Sequence, residues 1–365
     1  MIDKSVNAGS SAQNGFALQR NTALFLLLEN YFDKFKDNKY FICLEHHDDF
    51  LFCFLNKNNE AESIEAYQSK KKAPDIWRAN TELYKILNKL LLTGKNLITD
   101  DIKRSSSYKH FLYFSTNQTI NLEHKPKKNE NKPTISESIK ADNSNVHFLN
   151  LPIEIQDKIK AGVSAVNLHE EFENINFIWI PLAPTVIEQE NQLDGKIYEV
   201  FGNKINNRRS AVETLISLFT KIEYIDNQGN VAKLLDLKKR VSSEKIEETF
   251  RILTSKSKSF NYWHTQSHNI AKILQIKPID KEIFELDFIT SFELFKSIEE
   301  AEHRKILQFS KDNFQNLTTY TEEENVLELF THFTKTQTSI FEALKLKAIF
   351  FAAYFEVTFK TENKL

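Results

Sequence analysis

Cysteine and glycine are both scarce in this chain of 365 residues, which has two of the first, Cys43 and Cys53, and seven of the second. Two thiols in apolar runs fall far short of a disulfide framework or a zinc spacing, so both are expected as reduced core residues. Seven glycines against thirty phenylalanines fit a helix-rich chain with few tight backbone turns. Charge of one sign is lacking too. The formal net charge is −2, which excludes a global basic field, and any contact with a polyanion has to be local. Long hydrophobic runs are absent. Met1-Ile2-Asp3-Lys4 has no apolar signal region, and the most apolar stretch, Ala348 to Phe355, meets Glu356 well short of the ~20 residues a membrane span needs. A cytoplasmic protein is expected, long enough for two domains that each bury a core.

What the chain does have is a pair of short apolar runs carrying polar groups that a core would not choose. The first, Phe41 to Leu55, contains Glu45-His46-His47-Asp48-Asp49; the second, Ser63 to Lys72, contains Gln68 and Lys70. Joined by the polar turn Lys57-Asn58-Asn59-Glu60, they read as a hairpin. Asp49 then heads one strand, and Gln68 and Lys70, two residues apart, share a face of the next. Phosphodiester hydrolysis at neutral pH needs a hard divalent cation held by one or two carboxylate or carbonyl oxygens, with its other positions left to water and phosphate. Asp49 offers a charged oxygen and Gln68 a neutral one. The cation would therefore lean on Asp49, on a backbone carbonyl such as that of Ser69, and on Glu45. Lys70 sits where an ammonium can orient water and neutralise charge on phosphoryl oxygens. Taken singly, Glu-x-x-Asp-Asp is a common solvated turn and Gln-x-Lys is commonplace on an edge strand; their order in one hairpin is what makes them converge. His46 and His47, being adjacent, face opposite ways and make no metal pair.

Elsewhere, apolar spacing predicts helices over Phe16–Lys36, Asp75–Leu92 and Ala211–Phe219, a short helix from Leu151 to about Ile159, and buried strands at Phe111–Thr116 and Phe177–Ile180. That order suits an α/β nuclease core. Residues 124–145 are polar and charged and read as a mobile insert. From Tyr224 onward the pattern is almost wholly helical, with apolar residues at three and four in Ile246–Leu253, Phe288–Ile298, Val326–Phe333 and Ile340–Phe355. The expected division is 1–222 for the α/β domain and 223–365 for a helical docking or oligomerisation domain. Local basic runs are Lys70-Lys71-Lys72, Arg208-Arg209 and Lys238-Lys239-Arg240. His264 and His268, in Tyr262-Trp263-His264-Thr265-Gln266-Ser267-His268, lack a third ligand nearby and read as part of an aromatic cluster.

Asp49 followed by Gln68-x-Lys70 resembles the PD-(D/E)xK nuclease motif in the variant where glutamine replaces the second acid. With Gly9-Ser10-Ser11-Ala12-Gln13-Asn14-Gly15-Phe16-Ala17-Leu18-Gln19, Glu45-x-x-Asp48-Asp49 and Phe111-Leu112-Tyr113-Phe114-Ser115-Thr116-Asn117, the first domain resembles the double-stranded DNA endonuclease domain of CD-NTase-associated effectors. The same domain occurs in the nuclease subunit of Lamassu anti-phage systems and in nucleases paired with a HerA-type ATPase. The resemblance implies a restriction-endonuclease-like α/β (α+β) core and Mg²⁺, for which Mn²⁺ substitutes. It puts Asp49, Gln68 and Glu45 at the metal, with Lys70 as the catalytic lysine and Asp48 as the lesser of the two aspartates. Gln19 would reach the site from the side, and Lys71 and Lys72 would meet double-stranded DNA. For a Lamassu-type subunit it further implies an SMC-like ATPase subunit and a small accessory subunit that hold the nuclease inactive, and a homo-oligomer once foreign DNA is sensed. Effectors gated by a cyclic oligonucleotide carry a sensor of alternating strands and helices with Gly-rich turns, which the sequence after Tyr224 does not show. The alternatives are a nuclease effector paired with a HerA-type ATPase or gated by a cyclic oligonucleotide signal, and an inactive DNA-binding scaffold in which Gln68 marks a decayed site.

Overall fold

The structure is a computed structural model that describes residues 8–45, 48–71, 76–126, 133–205, 207–225, 233–295 and 300–362. The chain forms two compact units, Met1–Val200 with Arg208–Ile246, and Phe201–Asn207 with Glu247–Leu365. As expected, an α/β core precedes a helical region.

The first unit opens with α1 (Ala8–Glu29), followed by a π-helical turn at Tyr31–Phe35, and then the strands β1 (Lys39–Leu44), β2 (Phe50–Leu55) and β3 (Ala61–Ser69). After β4 (Trp77–Arg78) and α2 (Thr81–Thr99) come β5 (Arg104–Thr116), β6 (Ile120–His124), β7 (Ile135–Ile139), β8 (Asn145–His147), α3 (Ile153–Gly162), β9 (Ile175–Trp179), α4 (Val186–Phe201), α5 (Arg208–Glu223) and β10 (Arg240–Ser242). The main sheet has the order β10-β1-β2-β3-β5-β9-β8; β3, β5 and β9 are parallel and the other pairs antiparallel. A smaller sheet has the order β4-β6-β7.

β2 reads as an unbroken apolar run because both its faces are covered. Leu51 and Cys53 join Ile64, Ala66 and Leu112 in a core closed by Leu83, Leu87 and Leu90 of α2. Phe50 and Phe52 pack on the opposite face, where Phe35 meets Phe52 edge to face and Tyr67 stacks between Phe50 and Tyr113. α2 starts where it does because Asn80 caps it, its side chain accepting from the N–H groups of Glu82 and Leu83. Trp77, expected in that helix, instead stands in β4, buried with its indole N–H on Thr116 Oγ1 at 3.1 Å. The capping asparagine leaves the preceding residues free to pair with β6.

Two further expectations change. Within the polar stretch predicted as a mobile insert, 127–132 lie outside the described residues, but Ile135–Ile139 forms β7 and buries Ile139 against Ile120. Two isoleucines on one face suffice there because β6 supplies the backbone partners. The stretch after Tyr224, predicted helical, contains β10, which adds to the edge of β1 with Ile42 opposite Val241. The first compact unit thus runs to Ile246, past 222/223.

In the second unit, the part of α6 (Ser243–Ile273) from Glu247 onward, α7 (Lys281–Leu294), α8 (Ala301–Asn313), α9 (Glu322–Thr336) and α10 (Ala343–Glu362) share one core. α10 packs on α7, α8 and α9, and Ala348 to Phe355 are all buried. An apolar surface all round marks a central helix, which accounts for the most hydrophobic stretch of the sequence. Among the described residues no helix is long and apolar enough to cross a membrane. Trp263 belongs to this core and donates its indole N–H to Glu285 at 2.8 Å, while His264 and His268 point outward. The aromatic cluster is structural.

Candidate active site

β2 and β3 pair with Phe50 opposite Tyr67 and Leu51 opposite Ala66, so one further step of the register sets Asp49 across from Gln68. Alternation puts Asp49, Gln68 and Lys70 on the face that carries Leu51, Ile64 and Ala66, and Asp48 on the other. Lys70 Nζ donates to both oxygens of the Asp49 carboxylate, at 2.9 Å to Oδ2 and 3.2 Å to Oδ1. Oδ2 also accepts from the Ser69 backbone N–H at 2.7 Å. The Lys70 N–H in turn donates to the Ser115 carbonyl of β5 at 2.9 Å. Three adjacent strands therefore fix one carboxylate and one ammonium. Asp49 is buried, whereas the Lys70 side chain keeps 31% of its surface exposed, so its charge remains within reach of a substrate.

Gln68 is the anomaly. Its exposure is 0%, and neither its amide oxygen nor its amide nitrogen has a hydrogen-bond partner. Leaving such a group buried and unpaired costs about 1–3 kcal/mol, and a leucine would continue the apolar row of Ile64 and Ala66. The cost is understandable if the amide oxygen serves a ligand.

Glu45 lies in the tight β1–β2 connection with φ 48° and donates its N–H to the Asp49 carbonyl at 2.9 Å. Burial, then the charges of Asp49 and Glu223, push its carboxyl up to about 7 against the pull of Lys70 and Lys89. Asp48 is also raised, by burial first and by Asp49 second. Its Oδ1 accepts the Asp49 N–H at 3.1 Å, and its Oδ2 has no partner. His46 and His47 lie outside the described residues, as does Lys72.

Gln19 is buried on α1 with an unpartnered side-chain oxygen. It lies three residues before Thr22, hence on the same helix face, and the Thr22 hydroxyl is 3.4 Å from that of Ser69. Thr22 thus steadies, from the far face of the sheet, the residue whose N–H binds Asp49. Nothing in the sequence distinguished it from other helix threonines. α1 itself is held by Asn21, which donates to Gln189 of α4 at 2.9 Å, and by Arg20, which reaches Thr220 and Glu223 of α5 at 3.1 and 3.3 Å. Lys71 donates to the Pro184 carbonyl at 2.7 Å. The other basic runs are largely occupied. Arg208 pairs with Asp194, Arg209 with Glu190, and buried Lys239 donates to the Ile225 carbonyl.

Among the described residues no group of three or more His, Cys, Asp or Glu is placed to hold a metal ion. The oxygen donors present are few but chemically suited to a hard cation, namely the Asp49 carboxylate with the orphaned Gln68 amide across from it. A mixed sheet flanked by helices, with an acid at the head of one strand and Gln-x-Lys closing the next, has the plan of a restriction-endonuclease-like nuclease. The Cap4 double-stranded DNA endonuclease domain matches residues 7–224, more than half of the chain, and the chain belongs to that family of anti-phage effector nucleases. It is an endonuclease, a hydrolase of phosphodiester bonds. No curated protein matches the chain and no solved structure does.

Proposed function

We propose that the chain is a metal-dependent double-stranded DNA endonuclease acting as the effector subunit of a Lamassu-type anti-phage system, with Asp49, Gln68, Lys70 and Glu45 as its site. The observation that carries the reading is the Asp49–Lys70 ion pair beside a wholly buried, unpartnered Gln68 amide. Asp49, Gln68 and Glu45 would hold Mg²⁺, with Mn²⁺ able to substitute. When bound, the cation supplies charge neutralisation at the scissile phosphate and a more acidic water. The remaining work falls to the chain. Lys70 donates from its ammonium to phosphoryl oxygens as negative charge builds on them and orients the attacking water. Asp49 holds that ammonium in place, and the Ser69 N–H holds Asp49. Preorganised in this way, the charges need not reorganise when the phosphate arrives.

Regulation follows from hazard, because an unrestrained nonspecific nuclease would destroy its own cell's DNA. The second unit, helical and without a strand among its described residues, suits docking and assembly better than the alternating sensor of cyclic-oligonucleotide-gated effectors. An SMC-like ATPase subunit and a small accessory subunit would hold the nuclease silent, and foreign DNA would release it into an active homo-oligomer. Reconstitution with those two subunits tests this part. The expected result is a silent complex that cleaves, and changes its assembly state, when DNA ends are added. A chain equally active with and without them contradicts it.

A further inference from the structure

The main sheet has a concave feature at the end away from Asp49. β1 begins and β2 finishes there, with Lys39 paired to Leu55, and a cavity of about 540 Å³ opens beside them. The six residues of β2 separate it from the nuclease site by ~20 Å. That volume lies within the usual range for small-molecule sites, ~300–1,000 Å³.

Its walls combine apolar groups, among them Leu55, Ile102, Leu235 and Leu237, with the cations Lys39, Lys103, Arg240 and Lys245 and one acid, Glu244. Four cations to one acid is a local reversal of sign in a chain of net charge −2. Arg240 is the informative member. Its guanidinium lies 3.8 Å from the centre of the Phe41 ring, and its Nε and Nη2 are buried without a hydrogen-bond partner. The acids that act on it, Asp100 and Asp236, are engaged elsewhere. Asp100 accepts from the N–H groups of Ile102 and Leu234 at 2.9 and 3.0 Å, and Asp236 from that of Lys238 at 3.0 Å. Lys39 and Lys103 make surface pairs, with Glu244 at 3.5 Å and Glu60 at 2.7 Å, which bind weakly and exchange readily for a better anion. A half-buried cation with two buried donors that lack acceptors is costly unless an anion completes it. Leu235 and Leu237, 53% and 75% exposed, give the mouth an apolar rim that a ligand body would cover.

We propose that this cavity binds a small organic phosphate, with its anionic group on Arg240, Lys39 and Lys103 and its less polar body against Leu55, Ile102 and Leu237. Shape argues against a DNA duplex as occupant, since backbone phosphates meet cations on an open surface rather than inside a recess with apolar walls.

Calorimetric titration of the full chain in EDTA tests it, with AMP and inorganic pyrophosphate as probes and adenosine as the uncharged control. AMP is expected to bind at least tenfold (~1.4 kcal/mol) more tightly than adenosine. Arg240→Met should weaken AMP binding by a similar factor, and Asp49→Ala should leave it unchanged. Because Arg240 packs on Phe41, the melting point of unliganded Arg240→Met is measured alongside. The double variant Lys39→Met with Lys103→Met, at exposed positions, decides if Arg240→Met does not fold, and a loss of about threefold or more is then expected. The proposal is overturned if neither probe binds up to about 10 mM, or if adenosine binds as well as AMP. Binding that survives the cavity substitutions, or that Asp49→Ala abolishes, overturns it as well.

Discussion

A single amide separates a functional account of this site from a structural one. Gln68 is buried, unpartnered and set across from Asp49, so its two properties pull apart on substitution. Gln68→Leu should abolish cleavage yet raise stability by about 1 kcal/mol, because an unsatisfied polar group is replaced by an apolar one in an apolar row. Chemical denaturation beside a cleavage assay reads both, and a variant that loses stability together with activity would make Gln68 a packing residue. The cysteines behave oppositely. Burial pushes Cys43 up to about 12 and Cys53 higher still, and both are free thiols. Thiolate is the reactive form, so neither should react with a disulfide reagent at pH 8 in the folded protein, and both should react in denaturant.

Helices and strands differ in how much of their placement the sequence discloses. The β2–β3 hairpin was legible because Asp49, Gln68 and Lys70 follow the strand period and a polar turn sits between the runs, where Asn59 takes φ 61°. The same alternation separated Asp49 from Asp48. β4 and β10 were not legible. Two- and three-residue strands carry too few side chains to show a period, and their partners, β6 and β1, are distant in sequence. The Thr22–Ser69 contact was hidden for the same reason, since it joins a helix to a strand across the sheet. Gly94 illustrates the limit at one position. Helix propensity alone favours alanine there by about 1 kcal/mol, but a Cβ would run into the Glu171 carboxylate. That carboxylate is held by His110 at 2.7 Å and Asn174 at 2.9 Å. Gly94→Ala should therefore destabilise by about 1–3 kcal/mol, and a rise in melting temperature would contradict the packing described. In the second unit, Phe350→Ala in the middle of α10 should cost about 3–5 kcal/mol, read by denaturant melts.

At the scale of the whole molecule, near-neutral charge leaves DNA attraction to a few side chains. Arg208 and Arg209 are neutralised by Asp194 and Glu190, and Lys239 is buried, whereas Lys70 and Lys71 stand at the end of β3 beside Asp49, and the Pro184 carbonyl that Lys71 meets is neutral and leaves its charge uncompensated. In the Asp49→Ala background, which allows binding without cleavage, Lys71→Ala should weaken DNA binding and lower the slope of log K against log salt by about 1. Arg209→Ala should leave both unchanged; anisotropy titrations over a salt series distinguish these outcomes. The most direct test of the central claim is incubation of the purified chain, alone and with its partner subunits, with linear and supercoiled double-stranded DNA in Mg²⁺ or Mn²⁺, beside Asp49→Ala and Lys70→Ala, with products read on a gel. Cleavage by the wild type that each substitution abolishes is the predicted result. Cleavage that survives both would place the chemistry elsewhere and contradict the account.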